Sequence, residues 1–184
     1  MNQPSTSSPH IVLVGLMGTG KSTVGRRIAH KLGWEFLDTD DEVTRVSGRT
    51  IRQIFESDGE EAFRQLEHNA LVAAFQHTAP LIIAGAGGIV LREDNRELMK
   101  SAAHVVWLSA PLEVLVERIG QRAAKADGHR PLIDGNPAER LQKLYNEREG
   151  LYREVSSIEI NVDGLQIPEV IEHILLATSL EATS

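Results

Sequence analysis

The chain has 184 residues, of which 41% are hydrophobic and 24% charged, with a formal net charge of −7 and no cysteine. That length suits one domain with a substantial core, and the composition is that of an ordinary globular protein. The acidic balance argues against an extended nucleic-acid surface, which needs clustered Lys and Arg, and the missing cysteines exclude disulfides, thiolate nucleophiles and Cys-ligated zinc.

Residues 1–9 are rich in Ser and Pro and lack the basic start and apolar stretch of a secretory signal, so a disordered tail is expected there. The first strand is predicted at Ile11–Val14. Directly after it runs Gly15-Leu16-Met17-Gly18-Thr19-Gly20-Lys21-Ser22, with the spacing G-x-x-x-x-G-K-S. Val24, Ile28 and Leu32 then fall on one helical face. A glycine-rich turn between a buried strand and a helix brings backbone N–H groups close around a phosphate, with the helix N-terminus aimed at the same anion. Lys21 reaches the β- and γ-phosphates in this arrangement, and the Ser22 hydroxyl stands ready for Mg²⁺. Gly18, Thr19, Gly20, Lys21, Ser22 and Thr23 are therefore the expected phosphate-binding residues.

Further strands are predicted at Glu35–Leu37, Leu81–Ala84, Val105–Leu108 and Ile158–Val162. Helical stretches lie between them, one marked by Leu141, Leu144 and Tyr145. A closing helix carries Val170, Ile171, Ile174 and Leu175, with Pro168 near its start. This alternation predicts a three-layer α/β/α fold around a five-stranded parallel sheet, of the P-loop type, as a single domain over residues 10–177. A flexible tail is expected over 178–184. The polar stretch from Ala123 to Asp134 reads either as a surface loop or as a mobile lid, spanning about 119–134, that carries Arg122, Lys125 and Arg130 over a nucleotide. No apolar run approaches a membrane span, so a cytoplasmic protein with neither membrane nor nucleic-acid partner is expected.

Ligands in such sheets gather at the carboxyl ends of the strands, where Gly15, Asp38 and Gly85 begin their loops. Asp38 and Asp40 could serve a metal and a substrate, or Asp40 or Asp41 could simply cap the next helix. Arg64 could pair with Glu60 on a surface, or present its fork to a carboxylate with Glu67 orienting it. Arg148 carries the same ambiguity. Trp34 and Trp107 read as packing residues, and the histidines show no metal-ligand spacing.

Several of these segments occur together in one family. The phosphate loop followed by Gly25-Arg26-Arg27, then Leu37-Asp38-Thr39-Asp40, Ile54-Phe55-Glu56 and Gly59-Glu60-Glu61-Ala62-Phe63-Arg64 stand in order. The glycine cluster Gly85 to Gly88, Arg130-Pro131-Leu132 and Arg148 to Tyr152 follow. From Ile11 to Leu176 the chain resembles the shikimate kinases, within the nucleoside-monophosphate-kinase-like group. The resemblance implies ATP-dependent, Mg²⁺-requiring phosphorylation of the 3-hydroxyl of shikimate, in aromatic amino-acid biosynthesis, by a protein expected to be a monomer. It further implies Asp38 holding Mg²⁺ through water alongside Ser22, and Asp40 contacting shikimate hydroxyls and accepting the proton. Arg64 and Arg148 would bind the carboxylate beside Gly87 and Gly88, Arg130 would reach the transferring phosphate, and Arg118 would flank adenine. Lys21, Asp40 and Arg130 are thus the catalytic candidates.

One position departs from the family, which usually has three consecutive glycines after this strand; here Ala86 replaces the first. Alanine strains the turn if that site needs a positive φ, and stiffens it slightly otherwise. Two other readings stay open: a kinase for gluconate or another cyclitol acid, and a nucleotide-binding switch without a small acceptor.

Overall fold

β1 (His10–Val14) is buried along its whole length, as expected where helices cover both faces of a parallel sheet. The computed structural model describes residues 10–125 and 136–180. β3 (Leu81–Ala84) is likewise buried throughout, and β4 (Ala103–Ser109) is buried from Val105 to Leu108. β2 (Glu35–Asp38) and β5 (Ile158–Asn161) are partly exposed because they form the sheet edges. All pairings are parallel, in the order β2-β3-β1-β4-β5. Ile11 stands opposite Ile82 on one side and His104 on the other.

α1 (Lys21–Leu32) packs with α7 (Ile167–Thr178) on one face of the sheet. α3 (Ile51–Phe75), α4 (Glu93–Ala102) and α6 (Pro137–Val155) pack on the other, completing three layers. α2 (Thr39–Ser47) lies against α3 beyond the edge strand, and α5 (Leu112–Lys125) lies against α6. α3 opens with a capping box between Thr50 and Gln53, then breaks at Gly59, whose φ of 84° and ψ of 178° are not helical. A small separate cluster of Val43, Ile54, Phe63 and Ala70 joins α2 to both arms of α3, apart from the main core. The chain leaves β1 toward β2 and leaves β3 toward β4, so a crevice opens at the carboxyl ends of this central pair.

Local chemistry corrects several expected boundaries. The cap of α2 is Asp38, which accepts from the Asp40 N–H at 3.1 Å, and Asp40 and Asp41 sit inside the first turn. α5 runs through Lys125 and so takes in the first residues of the polar stretch expected from Ala123, since Arg122-Ala123-Ala124-Lys125 are good helix formers. Residues 126–134 of the proposed lid, Arg130 among them, lie outside the described residues. Thr178 belongs to α7 rather than a tail: it is buried, its hydroxyl donates to the Ile174 carbonyl at 2.9 Å, and Leu180 packs on the core. Trp107 is buried and Trp34 partly so, both in packing roles. No helix among the described residues is long and apolar enough to cross a membrane.

Candidate functional site

The crevice at the β1/β3 switch is a cleft of about 1630 Å³. A single drug-sized ligand occupies roughly 300–1,000 Å³, so there is room for two. Seven basic and five acidic side chains line the cleft, giving it a local positive balance inside a chain of net charge −7. Such a field gathers anions.

One end is the loop between β1 and α1. Gly15 has φ 138°, and a Cβ there would overlap the Leu108 carbonyl, so only glycine lets the chain turn this tightly against β4. The Lys21 ammonium donates to the carbonyls of Gly15 (2.7 Å) and Leu16 (3.0 Å), holding its charge across the mouth of the loop. Thr19 is buried, and its hydroxyl donates to Leu16 O at 2.9 Å, so its side chain braces the loop from inside. Gly18, Gly20, Lys21, Ser22 and Thr23 all line the cleft.

The Ser22 hydroxyl donates to Asp38 Oδ2 at 2.6 Å, which joins the start of α1 to the end of β2. Two hard oxygen donors at the phosphate end match Mg²⁺, which is commonly held by one or two protein oxygens together with phosphates and water. No cluster of three or more His, Cys, Asp or Glu that could hold a metal occurs among the described residues. Asp40, two residues on, faces the same cleft. Burial and the neighbouring Asp38 carboxylate push its pKa up to about 6, against the pull of Lys21.

The other end is built from α3, α6 and the turn after β3. Arg64 donates to Glu67 (3.0 Å) and Glu60 (2.9 Å), so the surface pair and the orienting carboxylate expected as alternatives are both present. Glu67 is fully buried; burial raises its carboxyl pKa and the Arg64 guanidinium opposes that. Arg148 is also buried, on α6. A Cβ on Gly87 would sit 3.5 Å from Arg148 Nη1, whereas one on Gly88 would lie 2.5 Å from Arg64 Cζ. Two arginines from distant segments thus converge on adjacent glycines, and Gly88 must lack a side chain for Arg64 to lie where it does. Ala86 is free of strain, since Ser179 is the only non-glycine with positive φ among the described residues.

Lys21, Ser22, Asp38, Asp40, Arg64, Gly87, Gly88 and Arg148 are thereby brought to one cleft. Arg118 is not part of its lining and instead donates to Val162 O at 3.2 Å, toward the far edge of the sheet. Arg140, Lys143 and Glu147 also reach the cleft, unforeseen from the sequence. Their spacing of three and then four residues from one another, on the helix that carries Arg148, is the signal that marks them.

Comparison with known proteins agrees with this geometry. The family model described as shikimate kinase matches residues 17–179. A shikimate kinase of Streptomyces coelicolor is 39% identical over 175 residues, covering 95% of this chain and 98% of the relative. The solved structure of shikimate kinase from Acinetobacter baumannii in complex with shikimate superposes with a TM-score of 0.82 at 38% identity, covering 94% of this chain and 96% of that one. A gluconokinase from Sinorhizobium meliloti superposes with a TM-score of 0.62 at 20% identity, covering 94% of this chain and 93% of that one, a likeness of fold alone.

Proposed function

Since this chain belongs to the shikimate kinase family, we propose that it transfers the γ-phosphoryl group of ATP to the 3-hydroxyl of shikimate, giving shikimate 3-phosphate and ADP. The observation that carries the reading is the meeting of Arg64 and Arg148 over Gly87 and Gly88, in the cleft that also holds Asp40 and the phosphate loop. Two guanidinium groups side by side suit a carboxylate, and each charge-assisted hydrogen bond is worth about 1.5–3 kcal/mol.

In this reading the 3-hydroxyl oxygen bonds to the γ-phosphorus as the bond to the bridging oxygen of ADP breaks. Asp40 takes or orients the hydroxyl proton, which then passes to solvent. Phosphoryl transfer needs mainly alignment and charge stabilisation. Lys21 supplies both at the phosphates, while Arg64 and Arg148 fix the acceptor through its acid group. Ser22 and Asp38 would hold Mg²⁺, which neutralises charge on the β- and γ-phosphate oxygens when bound. Arg130 and Arg118 are proposed for the transferring phosphate and the adenine side by family resemblance. A cytoplasmic monomer fits the surface, where the exposed large hydrophobics among the described residues, Met17, Val46 and Leu176, are scattered singly.

A coupled ADP-release assay tests the proposal. Turnover is expected with shikimate and loss of turnover on chelation of Mg²⁺; faster turnover with gluconate would overturn the acceptor. The pH profile gives a second test. kcat/KM for shikimate reports the free enzyme's groups, so it should rise with pH as Asp40 ionises through about 6 and level off above. Asp40→Asn should remove that acid limb and lower kcat by about 10²-fold, the low end for a general base, because a loose transition state asks little of one. An unchanged limb in the variant would assign the ionisation elsewhere.

A further inference from the structure

The turn after β3 has no side chains of its own with which to hold the substrate end in place at Gly85, Gly87 and Gly88. Glycine stretches have large conformational freedom, and buried backbone groups need partners. At its start Gly85 N–H is tied to the Leu13 carbonyl at 3.0 Å. At its end Asn95 Nδ2 donates to Ile89 O at 3.0 Å. Between them, two hydroxyls from distant segments take consecutive residues. The Ala86 N–H donates to Thr39 Oγ1 at 2.9 Å, and the Tyr152 hydroxyl donates to the Gly87 carbonyl.

Both side chains are fully buried. Thr39 stands between Asp38 and Asp40 at the first turn of α2, and Tyr152 stands one turn beyond Arg148 on α6. The Tyr152 ring is fixed by stacking on Trp107, with centroids 5.8 Å apart. Burial raises the phenol pKa well above its ordinary value, so the hydroxyl remains a donor over the working pH range.

We propose that Thr39 and Tyr152 are positioning residues whose hydroxyls clamp the two-residue segment Ala86–Gly87 from its two ends, at the Ala86 N–H and the Gly87 carbonyl, and so hold the aspartate, the glycine floor and the arginines in one register. The clamp rests on the acceptor reading given above and names residues that touch neither substrate. Each hydroxyl belongs to an element that also carries a substrate ligand. Loosening one therefore displaces a specific ligand relative to the floor, rather than weakening the fold generally. Loss of the Thr39 contact frees α2, and with it Asp40; loss of the Tyr152 contact frees Gly87 from Arg148.

The test compares the full chain with Tyr152→Phe, Thr39→Val, Thr39→Ser and the Tyr152→Phe/Thr39→Val double variant, measuring steady-state kinetics and Tm. Tyr152→Phe keeps the stacked ring and should raise KM for shikimate about 3- to 10-fold, the loss expected of one buried hydrogen bond, with KM for ATP nearly unchanged. Thr39→Val should lower kcat by a similar factor, while Thr39→Ser, which keeps the oxygen, should restore it. The double variant should lose less than the product of the two, because both hydroxyls hold the same two-residue segment and once one end is loose the other holds less. Wild-type kcat and KM values in both single variants, with only Tm lowered, would mean that the hydroxyls merely brace the fold and would overturn the proposal. Should Thr39→Val fail to fold, Tyr152→Phe decides alone by its KM. Failure of the unmutated chain to phosphorylate shikimate is a separate outcome, which removes the acceptor reading and this inference with it.

Discussion

Lys21→Ala is expected to lower kcat by about 10²–10³-fold, the loss typical when a preorganised charge facing a developing anion is removed. The ammonium is held by the Gly15 and Leu16 carbonyls at 2.7 and 3.0 Å, so it needs little reorganisation to meet a phosphate. Its removal also takes away a charge that holds the Asp40 pKa down. The acid limb of the pH profile should therefore move to higher pH in the variant. Steady-state kinetics across pH check both effects together. A variant with near-normal kcat and an unmoved limb would place the phosphate-facing charge elsewhere in the cleft.

Arg64→Ala should raise KM for shikimate by about 10²-fold or more, since one or two charge-assisted contacts of roughly 1.5–3 kcal/mol each are lost. KM for ATP should change little, because Arg64 is held by Glu60 and Glu67 of its own helix and lies over Gly88, and is no part of the loop that carries Lys21. The variant also leaves Glu67 buried without its partner, and breaking such a pair commonly costs 3–5 kcal/mol of stability. Tm is therefore expected to fall as well. Gly88→Ala separates the two effects: the added methyl displaces the guanidinium but leaves its positive charge on α3, near Glu67. A similar KM rise in Gly88→Ala, with a smaller loss of Tm, is the expected result. Unchanged KM in both variants would remove Arg64 from acceptor binding.

The phosphate end of the cleft is legible in the sequence because it is local. Gly15 to Ser22 is one uninterrupted run, and the strand before it and the helix after it are set by their own apolar spacing. The five strands are legible for the same reason: β3 has the expected bounds, β1, β2 and β4 run one or two residues past the apolar run, and β5 stops one residue short of Val162. The acceptor end is not local. Arg64 and Arg148 stand 84 positions apart in the sequence, and no spacing shows that they share adjacent glycines. Only the resemblance to a family placed them together in advance. Even with it, the effect of Ala86 could be written only as a condition, because its φ depends on how the turn packs beneath Thr39. The reading of Asp40 or Asp41 as the cap of α2 fails because Asp38, at the end of β2, is already placed to accept from the Asp40 N–H at 3.1 Å.

The break at Gly59 leaves the first arm of α3 packing Ile54 against Val43 of α2 and Phe63 of the second arm, instead of against the apolar layer beneath the sheet. Ile51, Arg52 and Phe55, which form one wall of the cleft, ride on that arm. Substitutions among them act on a small satellite that also anchors α2, and with it Asp40. Exchanges along this arm are therefore expected to alter acceptor preference first.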